Sequence, residues 1–288
     1  MHYTASWGFV LNTRSRCLPE GWYPSSAEEI RHFVRGIPDE EVRAGASAGM
    51  VPHAGWAFCG AMIARTIKCM AKDLHSIVIL GGHNPPGGRL IRYDEDAWDF
   101  PTTRLYRDVE ISDSVNSRLS AEYKPVAESS ADNTVEVVLS MVAAILPEVQ
   151  WAAWRIPSDE RSLDFGRVLA ETVEKSDKSV VVIGSTDLTH YGPNYGFMPE
   201  ESRSDPRGWV KKRDYEILRA LANFDGIEAL EAANKQKSAC SAGGAVGAME
   251  YAKVLGTGAG TILDYSLSSD LYPSSSFVAY GSIIWEFA

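Results

Sequence analysis

This chain has no long apolar run, no surplus of positive charge and no clustered cysteine. No stretch approaches the ~20 consecutive apolar residues of a membrane span. Asn12, Arg14 and Arg16 interrupt the region where the apolar part of a secretory segment would sit. The expectation is a cytoplasmic protein with no membrane partner. Lys and Arg total 28 against 38 Asp and Glu, a formal net charge of -10, the wrong sign for sequence-independent phosphate contacts, so nucleic acid is not an expected partner. Cys17, Cys59, Cys69 and Cys240 show neither the CxxC spacing of a zinc knuckle nor the density of a disulfide scaffold. A Gly-x-Ser-x-Gly elbow and a Walker A lysine are absent as well. Gly256-Thr-Gly258-Ala-Gly260 follows a helix pattern and precedes a strand pattern, the reverse of the order a dinucleotide site needs.

What the chain does have is a globular balance, 45% hydrophobic and 23% charged over 288 residues, which suits one large folded domain spanning 1–288. Apolar runs of strand length alternate with helix-period segments, the pattern of βα units around a mostly parallel or mixed central sheet. Strands are expected at Ala46 to Val51, Ser76 to Leu80, Gln150 to Ile156, Lys178 to Ile183, Thr261 to Ser266 and Phe277 to Trp285. Most are continuous apolar runs, as a sheet covered on both faces requires. Helices are expected at Ser26 to Gly36, Trp56 to Asp73, Thr134 to Leu146, Ser162 to Lys175, Gly208 to Asn223, Gly226 to Asn234 and Gly243 to Leu255. Gly192 to Arg207, with three prolines and two glycines, reads as a long loop of the kind that forms lids.

Ligands of such sheets gather beyond the carboxyl ends of the strands. Three of the six histidines fall there: His53 after the first strand, His83 after the second, and His190 in Asp187-Leu188-Thr189-His190. The remaining three, His2, His32 and His75, sit in a terminus, on a polar helix face and at the amino end of a strand, and read as structural. Cys240 precedes a helix, where the helix dipole favours thiolate. A thiolate with neutral imidazoles suits Fe(II), Cu or Zn rather than Mg²⁺ or Ca²⁺. Asp187 and His190 are spaced to orient one another, to exchange protons or to ligate directly, and the sequence does not choose. Asp132 and Glu136 open a helix, where carboxylates also complement the dipole. Ser268 follows a strand at the rim or in a surface turn. Cys59 and Cys69 read as core residues.

In order, Gly21-Trp22-Tyr23-Pro24, Val51-Pro52-His53-Ala54-Gly55, Leu80-Gly81-Gly82-His83, Asp132 to Glu136, Ser185 to Gly192, Cys240 and the strand end at Tyr265 to Ser269 resemble the Memo family, which includes the B component of the AmmeMemoRadiSam system. The resemblance runs from about Arg16 to the end of the chain. It implies a three-layer αβα domain similar in fold to the class III extradiol dioxygenases, with one metal held by His53, His83 and Cys240. It places Asp187 and His190 beside the metal, and Trp22 and Tyr23 at the pocket mouth, with Asn84, Asn133, Glu136 and Ser268 around the substrate. Where family members often carry a second histidine, this chain has Asn84, and where they often carry Glu-His-Ser it has Asp132-Asn133-Thr134. Asparagine hydrogen-bonds but does not exchange protons at neutral pH, so no acid/base role is expected at Asn84 or Asn133.

The function this implies is a non-haem Fe(II) enzyme that brings a small, phenolic substrate together with dioxygen. A thiolate in place of the carboxylate of oxygen-activating sites also suits copper, which leaves a second reading: a copper- or iron-binding redox or peptide-binding protein without organic turnover. A third is a subunit whose metal site has decayed. Self-association or a protein partner is left open.

Overall fold

The computed structural model describes residues 11–38, 45–70 and 72–287, so His2 lies outside the described residues. Four strands are buried along almost their whole length: β1 (Ala46–Val51), β2 (Ser76–Asn84), β3 (Gln150–Pro157) and β4 (Val180–Ser185). They run parallel in the spatial order β1-β4-β2-β3. β5 (Thr261–Leu267) and β6 (Phe277–Glu286) pair antiparallel, and β6 also pairs antiparallel with β1. Ile91–Arg92 lies antiparallel to β3, and His190–Tyr191 antiparallel to β6. The sheet is therefore mixed around a parallel centre.

Apolar side chains on both faces of the centre require cover on both faces. Val78, Leu80, Trp154, Ile156 and Val182 belong to one core, while Ile77, Ile79, Trp151, Ala153, Val181 and Ile183 belong to the other. The helices are α1 (Ala27–Arg35), α2 (Trp56–Lys68), α3 (Val109–Arg118), α4 (Asn133–Ile145), α5 (Arg161–Val173), α6 (Pro206–Ala222), α7 (Gly226–Gln236) and α8 (Ala242–Val254). α1, α2 and α4 fill the second core, and α3 and α5 to α8 the first. This is the three-layer α/β arrangement expected from the sequence.

All six expected strands and all seven expected helices form. β2 continues four residues past the expected end to Asn84, because its pairing with β3 resumes after an irregularity between Gly81 and Asn84. Ser26 caps α1 by accepting from the Glu29 N–H, as the Ser-Ala-Glu-Glu start signals. α3 is an addition, and so is a small sheet of Thr13–Arg14, Ala97–Asp99 and Arg104–Tyr106. The loop after Gly192 contains 3-10 turns at Pro193–Tyr195 and Glu200–Ser202, and α6 begins at Pro206, in the first turn where proline is tolerated.

At the carboxyl edge of this sheet, the ends of β1, β2 and β4 carry His53, His83 and Asp187 into one place. α8 brings Cys240 to the same edge from behind. Its amino-terminal glycines let the helix backbone press on the strands: a Cβ on Gly244 would lie 2.2 Å from the Leu80 carbonyl oxygen, and one on Gly243 2.4 Å from that of Pro157.

Candidate metal centre

His53 is wholly buried, and its ring is held from both sides. Nδ1 lies 3.0 Å from Ser185 Oγ, and Nε2 lies 3.2 Å from His83 Nε2. Cys240 Sγ is 3.2 Å from the same His53 Nε2. The ligand atoms of His53, His83 and Cys240 all fall within 4.8 Å of one another. A single ion bonded at ~2.0–2.1 Å to nitrogen and ~2.3 Å to sulfur keeps its donors roughly 3.1 to 3.7 Å apart. Two of the three pairs already have that spacing, so this donor set fits one ion. The two imidazoles stand edge to face, with an interplanar angle of 88°, and their Nε2 atoms approach each other.

Asp187 organises the other side. Its Oδ1 accepts from the His53 backbone N–H at 2.8 Å, which fixes the turn after β1. Its Oδ2 stands 3.8 Å from both His53 Nε2 and His190 Nε2. The Asp187 carbonyl accepts from the Cys240 N–H at 3.1 Å. Asp187, His190 and Cys240 likewise bring ligand atoms within 4.8 Å of one another. His190 Nε2 is buried and has no hydrogen-bond partner among the described residues.

Burial governs the electrostatics here. It lowers the proton affinity of His53, helped by the neighbouring His83 ring, and lowers that of His190 against the pull of Asp187. It raises the Asp187 carboxyl above the usual range, opposed by the His53 N–H, and raises the Cys240 thiol, with Asp187 adding to the effect. An ion that takes the Cys240 thiolate therefore releases a proton.

Beside these groups opens a cavity of about 410 Å³ whose walls include Trp22, Phe58, Asn133, Tyr195, Ser268 and Tyr280. Three of the expected pocket residues, Trp22, Asn133 and Ser268, thus face it. Asn133 Nδ2 donates to the His53 carbonyl at 3.3 Å, and Ser268 Oγ accepts from the Val278 N–H at 3.0 Å.

The other three do not line it. Tyr23 is a core residue, 2% exposed, whose hydroxyl donates to Glu136 Oε1 at 2.9 Å. Glu136 is fully buried and accepts from the backbone N–H groups of Cys17 and Leu18 as well, so its carboxylate anchors the amino-terminal segment. Asn84 donates to the carbonyls of Arg89 and Arg155, and so holds the chain that leaves β2. Asp132 is the N-cap of α4, accepting from the Thr134 N–H at 2.9 Å.

Sequence reasoning missed the aromatic walls Phe58, Tyr195 and Tyr280. It also missed a buried carboxylate beneath the His190 loop. Asp214 on α6 accepts from Thr189 Oγ1 at 2.6 Å and from the Tyr265 hydroxyl at 2.9 Å. The signal was present: Val210, Asp214, Ile217, Leu218 and Leu221 form one helical stripe, with a carboxylate on the apolar face. Burial, opposed by these hydrogen bonds, pushes the Asp214 carboxyl up from 3.8 to about 7. The folded chain then keeps a proton that the unfolded chain gives up near pH 4. Stability from this group is complete below that pH and is lost as pH rises toward 7. Unfolding free energies from urea denaturation should therefore fall between pH 5 and 8 by an amount on the order of a few kcal/mol, and Asp214→Asn should flatten that dependence. An equal slope in both proteins would refute the assignment.

A family profile described as "Memo-like protein" matches residues 15–284. Among similar sequences, a "MEMO1 family protein" of Thermococcus onnurineus is 28% identical over 274 residues, covering 90% of this chain and 93% of its own length. Another of that description, from Aquifex aeolicus, is 28% identical over 288 residues, covering 96% of this chain and all of its own length. Among solved structures, an uncharacterized protein of Escherichia coli K12 aligns over 81% of this chain and 98% of its own, with 10% identity and a TM-score of 0.48.

Proposed function

We propose, from the premise that this chain belongs to the Memo family, that it is a metal-dependent enzyme of non-haem Fe(II) type acting on a small, phenolic substrate with dioxygen. One observation carries the reading. The donor atoms of His53, His83 and Cys240 converge within 4.8 Å beside a cavity that is lined by aromatic rings and contains His190. An Fe(II) ion held by the three would supply Lewis acidity and redox chemistry toward dioxygen.

The chain's own residues do the remainder. Phe58, Trp22, Tyr195 and Val278 give the cavity apolar walls that hold an aromatic ring and keep water out. His190 lines the cavity, burial disfavours its charged form, and its Nε2 makes no hydrogen bond among the described residues, so a turn of the ring toward a bound substrate would let that nitrogen take the phenolic proton. Asp187 stands 3.8 Å away, where its carboxylate stabilises the imidazolium that results. Asn133 and Ser268 orient substrate hydroxyls by hydrogen bonds.

Anaerobic purification with metal analysis, then oxygen uptake against a set of catechols, tests the proposal. Stoichiometric iron and catechol-dependent uptake are expected, with kcat lowered roughly 10²- to 10⁴-fold in His190→Ala while iron content is kept. Iron-free protein with no uptake would refute it. The thiolate ligand favours one second reading, a Cu(I)-holding redox or peptide-docking protein using the same pocket. Tight Cu(I) binding that is lost in Cys240→Ala, with no oxygenation product from any aromatic tried, would favour that reading over the first.

A further inference from the structure

The ring of His83 is the least supported of the three proposed ligands. It is the exposed member of the set. Among the described residues its only ring contact is with His53, and no hydrogen bond to its other ring nitrogen is present. Metal-binding histidines are ordinarily oriented by such a bond. In this chain the restraint comes through the backbone one residue earlier.

The peptide groups of Gly82 are held at both ends. Its N–H donates to Thr134 Oγ1 at 2.7 Å, and its carbonyl accepts from Ser241 Oγ at 2.7 Å. Thr134 is fully buried in the first turn of α4, and both its N–H and its hydroxyl donate to Asp132 Oδ1. Asp132 Oδ2 in turn accepts from Arg155 Nη1 at 3.2 Å, on the neighbouring strand β3. The second Arg155 amino group reaches Glu128 Oε1 at 2.6 Å. Ser241 directly follows Cys240, and its own N–H donates to Thr186 Oγ1 at 3.1 Å, next to Asp187. Gly82 itself has φ +101, and a Cβ there would lie 2.4 Å from Arg155 Cβ. Only glycine therefore lets the strand turn here against the arginine.

We infer that Thr134, backed by Asp132 and Arg155, is a positioning residue for His83: its hydroxyl fixes the Gly81–Gly82 peptide, where the turn that carries His83 begins, and thereby aims the His83 ring at the ion. The inference rests on the metal reading above. The hydroxyl acts as a junction, accepting from the strand that carries one ligand and donating to the cap of α4. Ser241 Oγ, on the residue after Cys240, donates to the carbonyl of the next peptide group, Gly82–His83, so two of the three proposed ligands share a backbone clamp through the two peptides that flank Gly82. A histidine oriented only by its main chain loses alignment when that clamp is cut, because no ring hydrogen bond remains to restore it.

Co(II) binding to the full chain under anaerobic conditions tests this, read by affinity and by the thiolate-to-cobalt absorption and d–d bands. Thr134→Val keeps the side-chain volume and removes the oxygen; it should weaken Co(II) binding about 10- to 100-fold and alter the d–d bands. Thr134→Ser, which restores the hydroxyl, should return both to the parent values. Asp132→Asn keeps a side-chain acceptor for Thr134 and loses the charge facing Arg155; it should show a smaller loss in the same direction, and it serves as the reporter should Thr134→Val not fold. Parent-like affinity and spectrum in a folded Thr134→Val, or in Asp132→Asn if only that variant folds, would overturn the positioning role alone. Absence of Co(II) binding by the unmodified chain would overturn the metal reading beneath it.

Discussion

If the proposed metal site is right, Cys240→Ala is expected to leave the chain folded and to abolish metal binding. Cys240 precedes α8 rather than lying on its core face, and alanine keeps the Cβ, so the substitution should be tolerated. Its backbone N–H bond to the Asp187 carbonyl survives the substitution. What is lost is the one soft, anionic donor, which leaves two imidazoles that bind a divalent ion far more weakly. Changes to groups behind a ligand typically cost 10- to 100-fold in affinity, so loss of a ligand itself should exceed about 100-fold. Metal analysis after anaerobic purification, with the melting temperature as a control, reads the result. Full iron or copper content in Cys240→Ala would remove the cysteine from the ligand set.

Gly244→Ala should strongly destabilise the chain. The new Cβ would meet the Leu80 carbonyl oxygen at 2.2 Å and its carbon at 2.8 Å, both main-chain atoms of β2 that no rotamer change can move. On the other side the Gly244 carbonyl lies 2.6 Å from where a Cβ on Gly184 of β4 would stand. The helix is thus seated on bare backbone at two strands. Lifting it by even part of an ångström opens a core built from Val246, Met249 and Leu80. Overpacking of this kind costs about 3 kcal/mol or more. It should also lower metal affinity, since α8 carries Cys240 toward His53. Urea denaturation that places the variant within ~0.5 kcal/mol of the parent would show that the helix can shift at little cost.

Local chemistry explains why much of this was legible. Residues 46 to 51, 76 to 80 and 150 to 156 are short and mostly apolar at successive positions, the pattern of a strand covered on both faces. Histidine at the ends of two of these runs, with glycine beside it, marked the functional edge. α3 escaped because Val-Glu-Ile-Ser-Asp-Ser-Val-Asn-Ser-Arg buries only Ile111, Ser112 and Val115, too short a stripe to set a period. Strands of two or three residues, such as Thr13–Arg14 and Ala97–Asp99, exist only through their pairing and have no pattern of their own.

The site divides in the same way. The sequence by itself determined which residue types stand at strand ends and before α8, because those positions follow from local periodicity and turn chemistry. Only the tertiary structure decided which of them meet. Residues 30 and 187 positions apart in the chain, His83 and Cys240, lie within reach of His53 because the order β1-β4-β2 and the glycine-seated helix bring their ends together. The same long-range packing took Glu136 away from the pocket. Buried acceptors must be satisfied, and the donors that satisfy this one, from Cys17, Leu18 and Tyr23, lie more than a hundred residues earlier in the chain.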